Sequence, residues 1–216
     1  MNRLYTNQLL LLLVLLVGLH DTLHAQKIAT VTIGTQEWTA HNLDVVTFRN
    51  GDAIPEAQSD AEWKKAYLEE KPAWCYLYSD AANGVKYGKL YNWFAVMDKR
   101  GLAPKGFHVP SKAEWERLVD FLGGQLLAGK KLKCDAGWPN GGNGTNEVGF
   151  CGLPGGMRHY SGYFSKVQLY GHWWTTTPLE PFYAWQYYLL STDDAIGWYS
   201  LDFGKGAGMS VRCLKD

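Results

Sequence analysis

The sequence has no surplus of charge: 21 Lys and Arg residues stand against 21 Asp and Glu. A neutral chain exerts no general pull on nucleic acid, so nucleic acid is not an expected partner. The densest basic run, Lys130, Lys131 and Lys133, reads as a solvated turn. Cysteine is scarce, at four residues, with no CxxC pair and no His at ligand spacing, so none of the spacings suggests a structural zinc site. There is no GxSxG, HExxH, P-loop or dinucleotide fingerprint. Nucleophilic, zinc-peptidase and nucleotide chemistry therefore lose their usual sequence support.

Long aliphatic runs are also absent, except near the start. Leu9 to Val17 is unbroken apolar sequence, Arg3 precedes it, and Leu23-His24-Ala25 resembles a cleavage site. The run is shorter than the roughly 20 residues that span a bilayer. Residues 1–25 are expected to be a signal peptide cleaved before Gln26. Residues 26–216 are expected to form a single domain that is secreted, periplasmic or held at the cell surface. No Cys follows the apolar run, which argues against a lipoprotein anchor.

What the remaining sequence does have is aromatic side chains, including all ten Trp residues. They can fill a core or line a face for sugar or protein. The most legible stretch is Phe107 to Gly123. Ser111 and Glu114 have capping-box spacing, Trp115, Leu118, Val119 and Leu122 share a helical face, and Gly123-Gly124 supplies a stop. A second amphipathic helix is expected over Asp60 to Glu69, and a short buried helical turn within Leu90 to Met97. Alternation predicts a hairpin over residues 27–43 and short antiparallel strands after residue 150, including His172–Thr177, Ala184–Leu190 and Trp198–Phe203. Gly124 to Gly129 reads as a loose connection, and Asp135 to Gly149 as a Gly- and Asn-rich loop.

Candidate chemistry is sparse. His108, His159 and His172 are far apart in sequence and could converge. Glu147, Glu180, Asp193 and Asp202 are acids near loops, whereas a glycosidase pair needs two facing carboxylates about 5–9 Å apart. Asp193 and Asp194 follow a strand and precede Ala195-Ile196-Gly197, so a turn cap explains them. In the 135–149 loop, Asp135, Asn140, Asn143, Asn146 and Glu147 offer hard oxygen ligands suited to calcium, the one cofactor considered. Arg158 and Arg212 flank apolar strand positions, and each needs a carboxylate or backbone carbonyls for its guanidinium. The four Cys residues, Cys75, Cys134, Cys151 and Cys213, allow two disulfides in any of three connectivities.

Six stretches taken in order, VTIGTQEWTAHNL (31–43), YGKLYNWFAV (87–96), GFHVPSKAEWERL (106–118), TNEVGFCGLPGGMR (145–158), HWWTTT (172–177) and MSVRCLKD (209–216), resemble the Fibrobacter succinogenes major paralogous domain family. The resemblance implies an α+β, C-type-lectin-like mixed domain with two main helices, short antiparallel strands and long irregular loops. It also implies a distant relation to the formylglycine-generating enzyme group, and exported proteins of Bacteroidetes and Fibrobacteres. Members commonly have Cys where this chain has Ala103. A Cys134–Cys151 bridge would then close the glycine-rich loop and leave Cys75 for Cys213. No redox cysteine pair of the enzyme group aligns here, so its activity is not carried over. The expected function is a non-catalytic binding or surface-interaction domain for a glycan or an envelope protein. A structural or adhesive module and an enzyme are the alternatives. Fold analogy and aromatic content single out Trp138, Trp173, Trp174, Trp185 and Trp198 for the ligand.

Overall fold

The computed structural model describes residues 28–198 and 204–216. The expected signal peptide and most of the strand expected over Trp198–Phe203 lie outside the described residues.

The two ends of the described chain meet in one sheet. Strands β1 (Thr30–Ile33) and β2 (Gln36–Thr39) form a hairpin through Gly34, whose φ of 61° is cheap only for glycine. The last strand, β11 (Leu214–Lys215), lies between β2 and β5 (Phe107–His108), with Leu214 opposite both Trp38 and His108. A second sheet runs β10 (Ile196–Trp198), β9 (Tyr183–Leu190), β8 (Tyr170–Glu180). Two short ladders complete the strands: β3 (Trp74–Cys75) with β4 (Leu90–Tyr91), and β6 (Met157–Arg158) with β7 (Phe164–Ser165).

The fold is α+β, but it does not have two main helices. Five α-helices occur among the described residues: α1 (Asp60–Leu68), α2 (Gly84–Tyr87), α3 (Trp93–Val96), α4 (Lys112–Phe121) and α5 (Gln125–Leu132). Helix α1 starts on a Ser59–Glu62 capping box and α4 on a Ser111–Glu114 box, each satisfying amide groups that the first turn leaves unpaired. Asn92 caps α3 by accepting from the Ala95 amide. Helix α5 replaces the loose connection expected at Gly124–Gly129. No side chain caps it, and Gly129 lies inside it, so the usual start signal is absent. Gly123 and Gly124, at φ 98° and 90°, turn the chain back so that Ala128, Gly129 and Leu132 face inward.

Strand β8 divides the core. Trp173 belongs to one cluster, with Trp38, Trp115, Phe150 and Tyr187; Trp174 belongs to another, with Trp74, Tyr91, Trp93 and Met209. At about 25 cal/mol per Å², a ring burying about 200 Å² contributes on the order of 5 kcal/mol before entropy is charged. The aromatic load is therefore mainly core. Two buried arginines lie within it. The Arg158 guanidinium donates to the carbonyls of Ala57 and Gly162, reaches Asp60 at 3.2 Å, and lies over the rings of Trp63 and Phe164.

Cys134 and Cys151 form a disulfide with their Cα atoms 4.0 Å apart. Cys75 and Cys213 are free, buried thiols. The expected Cys75–Cys213 bridge is absent because the two residues belong to different core clusters.

Candidate functional site

The five singled-out tryptophans do not converge on one face. Trp138 is buried, and its indole N–H donates to the Gly152 carbonyl at 2.9 Å, so it plugs the glycine-rich loop. Trp173 and Trp174 point to opposite sides of β8, as strand geometry requires. Both sides are covered, so neither ring is open to a ligand. Their indoles donate to Asn42 and to the Tyr91 carbonyl, each at 2.9 Å. Trp185 is half-buried, with the Lys112 ammonium 4.8 Å from its ring centre. Of the five, only Trp198 is exposed, at 39%.

Trp198 borders a recess of about 160 Å³ whose walls include Glu116, Val119, Asp120, Gln125 and Tyr187. Each wall has a structural cause. Glu116 and Asp120 are one turn apart on the outer face of α4, whose inner face is buried through Trp115, Leu118 and Val119. Tyr187, on β9, stacks on Trp115 with ring centres 4.9 Å apart and planes 15° apart. Trp198, on β10, meets Tyr187 at 6.4 Å. The position of β10 depends on Gly129. A Cβ there would lie 2.3 Å from the Ala195 carbonyl oxygen, so glycine lets α5 rest on the turn before β10. The Lys130 amide then donates to the Asp194 carbonyl at 2.8 Å.

Burial, followed by the charges of Glu116 and Asp120, pushes the Tyr187 hydroxyl well above the ordinary tyrosine range. It therefore stays a neutral hydroxyl. Lys112 pairs with Glu116, leaving Asp120 and Gln125 as exposed polar groups at the rim. The recess combines a fixed aromatic floor with hydrogen-bonding side chains. Glu116, Asp120, Gln125 and Tyr187 were not singled out from the sequence. Acids on the outer face of a helix look like any solvated surface, and Gln125 fell in the stretch read as loose.

The candidate calcium ligands are largely engaged with the protein itself. Asn143 accepts from the Trp138 amide and Asn146 from the Cys151 amide, both at 2.9 Å, and Glu147 pairs with Lys131 at 3.2 Å. Asp135 and Asn140 are exposed. No cluster of three or more His, Cys, Asp or Glu residues suited to a metal ion occurs among the described residues.

The histidines occupy three separate environments. His172 is buried, with Nδ1 2.8 Å from Gln186, and burial pushes its pKa down to about 4. His159 stacks on Tyr163. His108 bridges Asp216 at 2.8 Å and Glu114 at 3.0 Å. Burial alone would lower the His108 pKa, but the two carboxylates outweigh it and hold the imidazolium above its ordinary range. Asp193 caps a turn by accepting from the Ala195 amide at 2.9 Å. Asp202 lies outside the described residues.

A larger cleft of about 350 Å³ lies between α1 and the β8–β9 turn, with Leu68, Phe94 and Phe182 on its walls. Its Lys205 ammonium donates to the Pro181 carbonyl and lies over the Trp93 ring, so the lysine is held by the protein itself.

Residues 31–215 match the model of the Fibrobacter succinogenes major domain family. The chain belongs to this family. No curated protein and no solved structure matches the chain. The match supports the Fibrobacter succinogenes major domain itself and does not extend to C-type lectins or to the formylglycine-generating group. The family is described by Fibrobacter succinogenes, which overturns the Bacteroidetes assignment. No helix among the described residues of this major domain is long and apolar enough to cross a membrane.

Proposed function

We propose that this Fibrobacter succinogenes major domain is an exported, non-catalytic binding module that takes a neutral sugar ring in the Trp198 recess. The observation that carries the reading is the partly exposed Trp198 indole beside Glu116, Asp120 and Gln125. A pyranose has an apolar face of C–H groups and an edge of hydroxyls. An aromatic surface suits the first, and carboxylate and amide oxygens accept from the second. Two acids in the wall disfavour an acidic sugar by like-charge repulsion. The recess volume of about 160 Å³ suits one ring rather than an extended chain. Export rests on the basic residue, apolar run and cleavage-like site within residues 1–25. Residues 26–216 are then the mature, single-domain protein at the cell envelope.

A second reading, an envelope-protein partner, is favoured by a separate observation. Leu68 and Phe182 are 69% and 70% exposed on the walls of the larger cleft, which places two large apolar side chains on the surface beside Glu70 and Lys205.

The test is a glycan array with the oxidised mature chain and its Trp198→Ala variant, run with calcium and with chelator. Binding to neutral glycans that is lost in the folded variant supports the sugar reading. A chelator-insensitive signal keeps the Asp135–Glu147 loop out of the site. Binding that is equal in both proteins, or absent from every glycan, refutes the reading and turns attention to the Leu68–Phe182 cleft.

A further inference from the structure

A cavity of about 320 Å³ lies on another part of the molecule, where the chain after β2 meets α2 and the segment around the disulfide. Its walls include His41, Asp44, Lys86, Cys151 and Arg212. Arg212 is 3% exposed. Its Nε donates to Asn42 at 2.8 Å, and Nη1 donates to the carbonyls of Thr39 at 3.0 Å and Phe150 at 2.7 Å. Nη2 has only a 3.5 Å contact with the Cys151 carbonyl, which leaves it the least satisfied edge of the guanidinium. The plane lies over the Phe150 ring, with the guanidinium carbon 4.4 Å from the ring centre. Arg212 forms no ion pair with any carboxylate among the described residues.

A buried guanidinium without a counter-charge is costly, because carbonyl dipoles replace only part of its hydration. Burial accordingly draws the Arg212 pKa down to about 9. The other cation on the cavity wall, Lys86, is solvated rather than buried. Its ammonium lies 4.9 Å from the Tyr87 ring centre, and it forms no ion pair among the described residues. The one acid on the wall, Asp44, is already paired with the buried Lys89. The cavity therefore presents two cations, one buried and one exposed, that form no ion pair among the described residues.

We propose that this cavity is a carboxylate-binding site, in which Arg212 Nη2 and the Lys86 ammonium receive one carboxylate of a ligand. A planar carboxylate matches the edge of a guanidinium, and a monoanion is preferred because Asp44 on the same wall repels a second negative charge. The site is separate from the Trp198 recess and does not depend on its ligand. Two sources carry the same chemistry, an acidic sugar and the free C-terminus of a peptide.

The experiment is a titration of the ¹⁵N-labelled oxidised mature chain, following the Arg212 Nε–H signal and the amides of Gly88, Gly149 and Cys151. The probes are glucuronate, a short peptide as its free acid and as its amide, glucose, and inorganic phosphate. Saturable shifts are expected with glucuronate or the peptide acid, and none with glucose or the peptide amide. Lys86 is exposed, so Lys86→Glu keeps the fold, and it is expected to weaken carboxylate binding about five- to tenfold. Whichever carboxylate binds more tightly identifies the source. The proposal is overturned by an absence of saturable shifts with both carboxylates, by an unchanged affinity in Lys86→Glu, or by tighter binding of phosphate than of either carboxylate.

Discussion

Trp174 and Trp198 belong to the same three-stranded sheet, yet one is core and the other borders a recess. The difference is coverage. At Trp173 and Trp174, strand β8 carries a core cluster on each face, so neither side of it is open there. Strand β10 ends the sheet: Ile196 is buried, while Trp198 is partly exposed beside α4 and α5. Aromatic content alone therefore does not locate a binding face. A tryptophan is available to a ligand only where the layers run out.

The sharpest way to break this comparison is to truncate both rings. Trp174→Ala removes a fully buried ring and its bond to Tyr91, and should cost about 3–5 kcal/mol by chemical denaturation. Trp198→Ala should cost less than about 1 kcal/mol and abolish sugar binding. Equal costs would show that Trp198 is also core.

Two histidines extend the contrast. His172 lies on covered β8 and stays neutral in the fold, while the unfolded chain protonates it near its ordinary value of about 6.5. The unfolded state binds more protons in this window, so stability should fall as pH drops from about 6.5 to 4, by on the order of 3 kcal/mol. His172→Gln should flatten that slope in urea melts. A slope that persists would assign it to carboxylates instead.

The loop around Trp138 supplies the next test. The Cys134–Cys151 bridge spans 17 residues, and opening it by a double Cys→Ser change should cost about 3 kcal/mol. Sugar binding at Trp198 should survive, because no recess residue lies in that loop. Loss of binding would place the loop in the site.

The smallest effect belongs to His108, which is half-buried and screened by water. Its folded pKa is raised by Asp216 and Glu114, so its contribution is complete below about 6.5 and is lost as pH rises through the folded value. His108→Gln should remove a shallow decline in melting temperature on the alkaline side of that point. An unchanged decline would dismiss the bridge as a stabilising contact.

Much of the scaffold was readable because local chemistry specified it. Ser111 with Glu114 predicted where α4 begins, the helix expected from Asp60 is α1, and Asn92 lies where a short buried turn was expected. Helix α5 was hidden because Gly124 cannot cap with a side chain and Gly129 interrupts a weak apolar pattern. The strand expected over His172–Thr177 puts the adjacent Trp173 and Trp174 on opposite faces. That expectation could not reveal that both faces are covered, which depends on segments distant in sequence. The candidate site was half legible: Trp198 was singled out, whereas Glu116, Asp120 and Tyr187 join it only through the packing of α4 on β9. The aromatic Trp138 in a glycine-rich loop misled for the opposite reason, since its ring supplies the core that the loop otherwise lacks.

The most direct test of the sugar-binding claim follows the indole N–H signals of the ¹⁵N-labelled protein, with Trp198 assigned by Trp198→Phe, during titration with a panel of neutral monosaccharides. The account predicts a saturable shift at the Trp198 indole with at least one sugar, while the Trp173 and Trp174 indoles stay fixed. A Trp198 signal unmoved by every sugar in the panel would contradict it.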